Sequence, residues 1–228
     1  MRNYYLFLMK LGELVLFQKI IHKLSGPLAK YSTILAQLLF SYRWDRGRID
    51  QPRGPHEVYV ELGIEAEVNT YSNIEVDEFE TSTTFAVSRD WLKQLANRTR
   101  VVIKDSPLDY CHGRILYSAL RKYINDNEGS INKLSIIETG TACGFSSICM
   151  AKALSDANKY GVIHTIDVLP HETKMFWNLV SDTCEGKLTR QELLMPWSSL
   201  ANCFVVPIQG YGAQTLNRIS IPRVNFAF

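Results

Sequence analysis

Residues 134–147 read LSIIETGTACGFSS, and their pattern decides the fold. The apolar run Leu134, Ile136 and Ile137 meets an acid, Glu138, followed by Gly140 and Gly144 and then a segment that reads as a helix, Phe145 to Leu154. A strand, a glycine turn and a helix start in that order hold nucleotide-like ligands. Glycine lets the backbone come close, and the first-turn N–H groups of the helix face the ligand unpaired. The spacing is Glu-x-Gly-x-x-x-Gly rather than the Gly-x-Gly-x-x-Gly of dinucleotide binders, which disfavours a nicotinamide-dependent oxidoreductase.

Outward from this stretch, the downstream chain alternates strands and helices. VIHTID (162–167) reads as a buried strand ending in Asp167, and CFVVPI (203–208) as another ending in Gln209-Gly210-Tyr211-Gly212. Helices are expected from about His171 to Val180, from about Thr189 to Ala201, and from Ala213 to Ile219, with a fourth strand in VNFAF (224–228). This alternation predicts an α/β fold with a parallel sheet and right-handed crossovers.

In such sheets ligands bind beyond the carboxyl ends of the strands. Asp167 follows Gly144 by 23 residues, room for one helix and one strand, and a carboxylate there can accept both hydroxyls of a ribose. Glu138 suits a ligand with an amine or sulfonium cation better than a phosphate. Ser146, in the first helical turn, can help bind a ligand carboxylate. A zwitterionic amino-acid tail on a ribonucleoside meets these demands together, and S-adenosylmethionine is such a ligand.

The upstream half carries less chemistry. Leu11, Leu14, Phe17, Ile21 and Leu24 share one helical face, Ser25-Gly26-Pro27 breaks the helix, and Tyr31, Ile34, Leu35, Leu38, Leu39 and Tyr42 recur at three-four spacing. The pattern predicts a helical hairpin over residues 1–55, with an arginine-bearing linker (Arg43, Arg46, Arg48, Arg53). The hairpin packs on the main domain or on a second copy of itself; a membrane-surface or lid role is the sharper alternative. EVYVELGIEAEV (57–68) alternates and predicts a half-buried strand within a β-containing extension over 56–106, its acids solvated or meeting the arginines. Ser88 and Asp90 cap a short helix carrying Trp91, Leu92 and Leu95. A further helix after Pro107 buries Ile115, Leu116, Ala119, Leu120 and Tyr123.

Bulk properties agree with one sizeable domain plus an appendage. The chain has 228 residues, 46% hydrophobic and 21% charged, with a net charge of +2 that gives no strong pull toward nucleic acid. Five scattered cysteines lack any C-x-x-C pair, so neither a zinc site nor a disulfide framework is indicated. Cys143 in the glycine loop is a candidate thiol, although small residues there usually serve ligand approach. No stretch approaches the roughly 20 apolar residues of a membrane-spanning helix, and the expected location is cytoplasmic.

ETGTACGFS and TIDVLP resemble motif I and the acidic second-strand end of the class I S-adenosylmethionine-dependent methyltransferases. With TIDVLPHE…MFWN, TRQELLMPW and RVNFAF, the likeness is to the bacterial methyltransferase domain 24 group, near the small-molecule O-methyltransferases, over about residues 107–228. The resemblance implies a Rossmann-like parallel sheet and S-adenosylmethionine as methyl donor to a small-molecule acceptor at oxygen. By likeness Glu138, Gly140, Thr141, Gly144 and Ser146 hold the methionine moiety, Asp167 the ribose, and Gln209, Gly210 and Tyr211 border the adenine. His112, His164 and His171 are base candidates by residue type alone, with His164 expected in the core.

Two departures stand out. Gly210-Tyr211 replaces a common Gly-Asp. The fourth strand stops at Phe228, where relatives continue into Leu-Asp-Gly and a His. The expectation is therefore a fragment or truncated product, with a non-catalytic binding or oligomerisation module, acting through the N-terminal helices, as the alternative.

Overall fold

The computed structural model describes residues 31, 51–130, 132–221 and 223–228. It separates into two compact units, Met1–Arg48 and Ile49–Phe228. In the first, Tyr31 is helical and exposed; the expected hairpin otherwise lies outside the described residues.

The second unit begins with helices. The 57–68 segment is not a strand: it lies within α1, His56–Tyr71. Alternation would bury Val58, Val60, Leu62, Ile64 and Val68 together. Instead Tyr59, Gly63, Ala66 and Thr70 are buried at helical spacing, while Val60, Ile64 and Val68 are exposed. The small residues decide the matter, because a side chain at Gly63 would come within 2.9 Å of Asn97 Oδ1. Only a helix brings Gly63 and Ala66 to one close-packed face.

Two more helices follow, α2 (Ile74–Thr83) and α3 (Arg89–Thr99), so the 56–106 extension contains no strand among the described residues. Ser88 caps α3 as expected, accepting from Trp91 N–H. The acids of α1 and α2 pair with cations that follow them. Glu67 meets Arg89 and Lys93, and Asp77 and Glu80 both meet the buried Arg114.

Helix α4, Cys111–Asp126, buries Leu116, Leu120 and Ile124, whereas Ile115 is exposed. It leads to β1, Lys133–Thr139, then α5, Phe145–Asp156, and β2, Tyr160–Asp167. Leu134, Ile136 and Glu138 point to one face of β1, where α5 covers them and a shared core joins α3, α4 and α5.

The expected helix over 171–180 does not form. Met175 and Leu188 exchange backbone hydrogen bonds of 3.1 and 3.0 Å, Trp177 Nε1 donates to Leu188 O, and Asp182 accepts from the N–H groups of Trp177 and Leu179. These cross-chain bonds compete with helical ones and leave a single short helix, α6, Ser181–Cys184. The 189–201 helix is likewise divided: α7 (Arg190–Leu193), a 3₁₀ turn Met195–Trp197 containing Pro196, and α8 (Ser198–Phe204). Proline lacks the N–H an unbroken helix needs. Cys203 and Phe204 fall in α8, so β3 starts later, at Val205–Gln209. Helix α9, Gly212–Leu216, and β4, Phe226–Ala227, complete the unit.

All four strands are parallel, in the order β3-β2-β1-β4. The register sets Glu138 beside Thr165 and Asp167 beside Gln209, so the carboxyl ends of the strands lie together as an α/β, Rossmann-like sheet requires.

Candidate functional site

The turn between β1 and α5 winds through three left-handed residues, Gly140 at φ +88°, Ala142 at +45° and Gly144 at +90°. The two glycines serve different ends. A side chain on Gly140 would meet nothing within 4 Å, so its backbone faces open space. A side chain on Gly144 would lie 2.7 Å from Leu194 Cδ1. Gly144 admits a neighbouring side chain, and Gly140 alone is bare for a ligand. Gly210 resembles Gly144, since a side chain there would collide with the Thr215 hydroxyl.

Glu138 lies behind the turn, 1% exposed. Its Oε2 accepts from the hydroxyls of Ser147 and, at 2.5 Å, Thr165. Thr165 spends its only proton on Glu138, so the 2.5 Å contact between Thr141 and Thr165 has Thr141 as donor. A relay thus runs from Thr141 in the loop through Thr165 to Glu138. Burial raises the Glu138 pKa; Ser147 and Thr165 pull the other way, and Oε1 has no protein partner among the described residues. Ser146, expected to help hold a ligand, is half-buried, and its neighbour Ser147 is the one that reaches Glu138.

Asp167, at the end of β2, is buried and clamps the loop. Its Oδ2 accepts from Ala142 N–H at 2.5 Å and its Oδ1 from Leu169 N–H at 2.8 Å. Arg190, only 4% exposed, completes the clamp: Nε donates to Ala142 O at 2.7 Å, Nη1 donates to His171 Nδ1, and Nη2 lies 3.4 Å from Asp167 Oδ2. Ala142 is held in its unfavourable backbone state through both its N–H and its C=O. Desolvation lowers the Arg190 pKa, and Asp167 opposes that shift.

At the end of β3, Gly210 N–H donates to Asp167 O at 2.7 Å. Gln209 is exposed and Tyr211 half-buried beside it. The structure therefore gathers Glu138, Gly140, Thr141, Asp167, Gln209, Gly210 and Tyr211 at one end of the sheet.

The candidate bases separate. His171 Nδ1 is taken by Arg190, and desolvation with Arg190's charge lowers its pKa. His164 is half-buried mid-strand, not in the core as expected, and on the face of β2 opposite the buried Ile163 and Thr165. His112 packs against Phe145 at 4.8 Å, the residue that opens α5. Cys143 is buried and its thiol is pushed up to about 12, so it stays protonated and is no nucleophile. Among the described residues no cluster of His, Cys, Asp and Glu is placed to hold a metal ion, and no helix is long and apolar enough to cross a membrane.

The sequence reading missed Arg190 and Ser147. A signal for Arg190 existed: Thr189-x-x-Glu192 is a capping box, formed here by Glu192 N–H to Thr189 Oγ1 at 3.1 Å and Thr189 N–H to Glu192 Oε2 at 2.8 Å. That box fixes Arg190 as the first residue of a helix. A cavity of about 530 Å³ lies beside this region, between Thr141, Ser147 and Thr165 on one side and Leu194, Ala201 and Val205 on the other.

No protein-family model matches the chain, and no curated protein matches it. Among solved structures it is similar to the O-methyltransferase TomG from Streptomyces achromogenes, involved in tomaymycin synthesis and determined in complex with SAM. That likeness has 19% identity and a TM-score of 0.36, over 66% of this chain and 55% of TomG. A cyclopropane-fatty-acyl-phospholipid synthase-like protein from Lactobacillus casei ATCC 334 is similar at 15% identity and a TM-score of 0.29, over 58% of this chain and 43% of its own. The chain spans about half the length of these structures.

Proposed function

We propose that the chain binds S-adenosylmethionine across the carboxyl ends of β1, β2 and β3 and takes part in methyl transfer to a hydroxyl of a small-molecule acceptor. The observation that carries this reading is Gly140: a left-handed glycine at the end of a central parallel strand, with open space where any side chain would stand. The buried carboxylate of Glu138 directly behind it keeps one oxygen without a partner among the described residues, which suits a cationic amino-acid tail in front.

Gly140 and Thr141 would present backbone to the methionine moiety. Asp167 would take a ribose hydroxyl: Ala142, Leu169 and Arg190 use three of the roughly four acceptor positions a carboxylate offers, so one is left. Gln209, Gly210 and Tyr211 would border the adenine. When bound, S-adenosylmethionine supplies an electrophilic methyl group on a sulfonium. The chain's own work is alignment: Arg190 and Asp167 hold Ala142, the Thr141–Thr165–Glu138 relay holds the base of the loop, and Leu194 closes the hollow at Gly144.

Isothermal calorimetry with S-adenosylhomocysteine tests the reading. Saturable one-to-one binding is expected, and Gly140→Val should abolish it by filling the open space. Absence of heat with the parent protein, together with an unchanged melting temperature, rejects the function.

A further inference from the structure

We propose that the outer face of α1 is a docking surface for a cationic amphipathic helix of a partner protein. This stands apart from the methyl-transfer reading, which uses none of these residues.

Helix α1 has two faces. Tyr59, Gly63, Ala66 and Thr70 are buried, with Gly63 against Asn97 of α3. Glu67, on one flank, is tied to Arg89 and Lys93, so the helix is held in one orientation. On the far side Val60, Ile64 and Val68 follow one another at one-turn spacing and are 47%, 60% and 62% exposed. Four residues apart, they form a continuous ridge about 12 Å long. Folding does not call for them there. β-Branched residues form helices less well than alanine, lysine or glutamate, and apolar area left in water gains nothing. Scattered singly such residues would mean little; aligned on one ridge they make a patch.

The neighbouring ridge is acidic. Glu57, Glu61 and Glu65 stand three residues before Val60, Ile64 and Val68, on the adjacent four-spaced row, and all three are exposed. None of them has an ion-pair partner among the described residues, whereas Glu67, Asp77 and Glu80 do. Neither α1 nor α2 contains a lysine or arginine. An apolar row beside an acidic row is the complement of a helix with an apolar row beside a lysine or arginine row. The partner's apolar side chains would enter the groove between the two rows, and its cations would meet the glutamates. The same charges decide against other occupants. A second copy offering its own α1 face would set acid against acid, and a surface of anionic lipid would be repelled. The patch is small, which fits a weak and reversible contact.

The test uses the full chain and two fluorescein-labelled peptides of about 16 residues, long enough to form a helix. Both carry leucine at three-four spacing, with either lysine or glutamate at the remaining positions. In fluorescence anisotropy the lysine peptide should bind saturably, one to one, and the glutamate peptide should not. Ile64→Glu, which keeps a good helix former at an exposed position, should weaken binding about tenfold. Glu61→Lys should weaken it about fivefold. Glu128→Lys, the same change in charge at an exposed position past the end of α4, should leave it unchanged. Equal loss at Glu61 and Glu128, or no loss in Ile64→Glu, overturns the proposal. So does sedimentation of the parent as a dimer that Ile64→Glu dissociates, since a second copy is then the occupant. An Ile64 methyl resonance that stays sharp in the free monomer when a soluble paramagnetic agent is added overturns it too, because the stripe is then already covered by its own chain.

Discussion

Replacing Arg190 by leucine removes the side chain that hydrogen-bonds the segment 190–204 to the glycine loop. Three contacts go together: Nε–H to Ala142 O, Nη1–H to His171 Nδ1, and the longer Nη2 approach to Asp167. The Ala142 carbonyl loses its donor, but Ala142 is exposed and water can replace the bond, so the cost is about 0.5–1.5 kcal/mol. Asp167 loses its cation but keeps the N–H groups of Ala142 and Leu169, so the full cost of a stranded buried charge is not incurred. Leucine restores part of the apolar contact the Arg190 stem makes. The sum is about 2 kcal/mol, or a fall in melting temperature of about 4–8 °C for a folded unit of this size. Arg190→Lys keeps the charge but has no planar fork to serve three acceptors at once, and should lose about half as much. Circular-dichroism melts of the parent and both variants at pH 7 decide it. A leucine variant melting within about 2 °C of the parent, or a lysine variant equal to it, refutes the clamp.

Three further outcomes follow from the same loop. Gly144→Ala should destabilise by about 2–4 kcal/mol from left-handed strain and overlap with Leu194, and adding Leu194→Ala should recover the steric part in a double-mutant cycle by urea unfolding. Ala142→Gly should raise stability by about 1 kcal/mol in the same assay, because glycine carries no penalty at φ +45°. Glu138 has its folded pKa raised above the ordinary 4.5, so its contribution is full below about pH 4.5 and is lost as pH climbs through the raised value. Glu138→Gln should therefore gain on the parent as pH rises from about 4.5 toward neutrality; a pH-independent difference between them would contradict the burial of a charged group.

The glycine loop was the part of the site most open to reading, because its chemistry is local. A strand ending in Glu138, two glycines and a helix start fix the turn through backbone preferences that act within a few residues. The parallel order of β1 and β2 follows from the length of chain between them. The segment 57–68 was misread because the two periods compete. Alternating valines and glutamates satisfy a strand, and only the partner surface at Asn97 reveals that Gly63 and Ala66 form the buried face. The expected helix over 171–180 gave way for a like reason, its backbone being satisfied by Leu188 and Asp182, which no local pattern announces.

By itself the sequence determined the four-strand α/β alternation, the turn at Gly140 and the acids at the strand ends, since each depends on neighbours in the chain. Tertiary structure decided which glycine stays bare, which hydroxyl reaches Glu138, that Arg190 clamps Asp167 to the loop, and that His112 packs against Phe145. Those depend on side chains from distant segments meeting in a desolvated space, where sterics and unpaired hydrogen bonds set the outcome and sequence spacing carries no record of it.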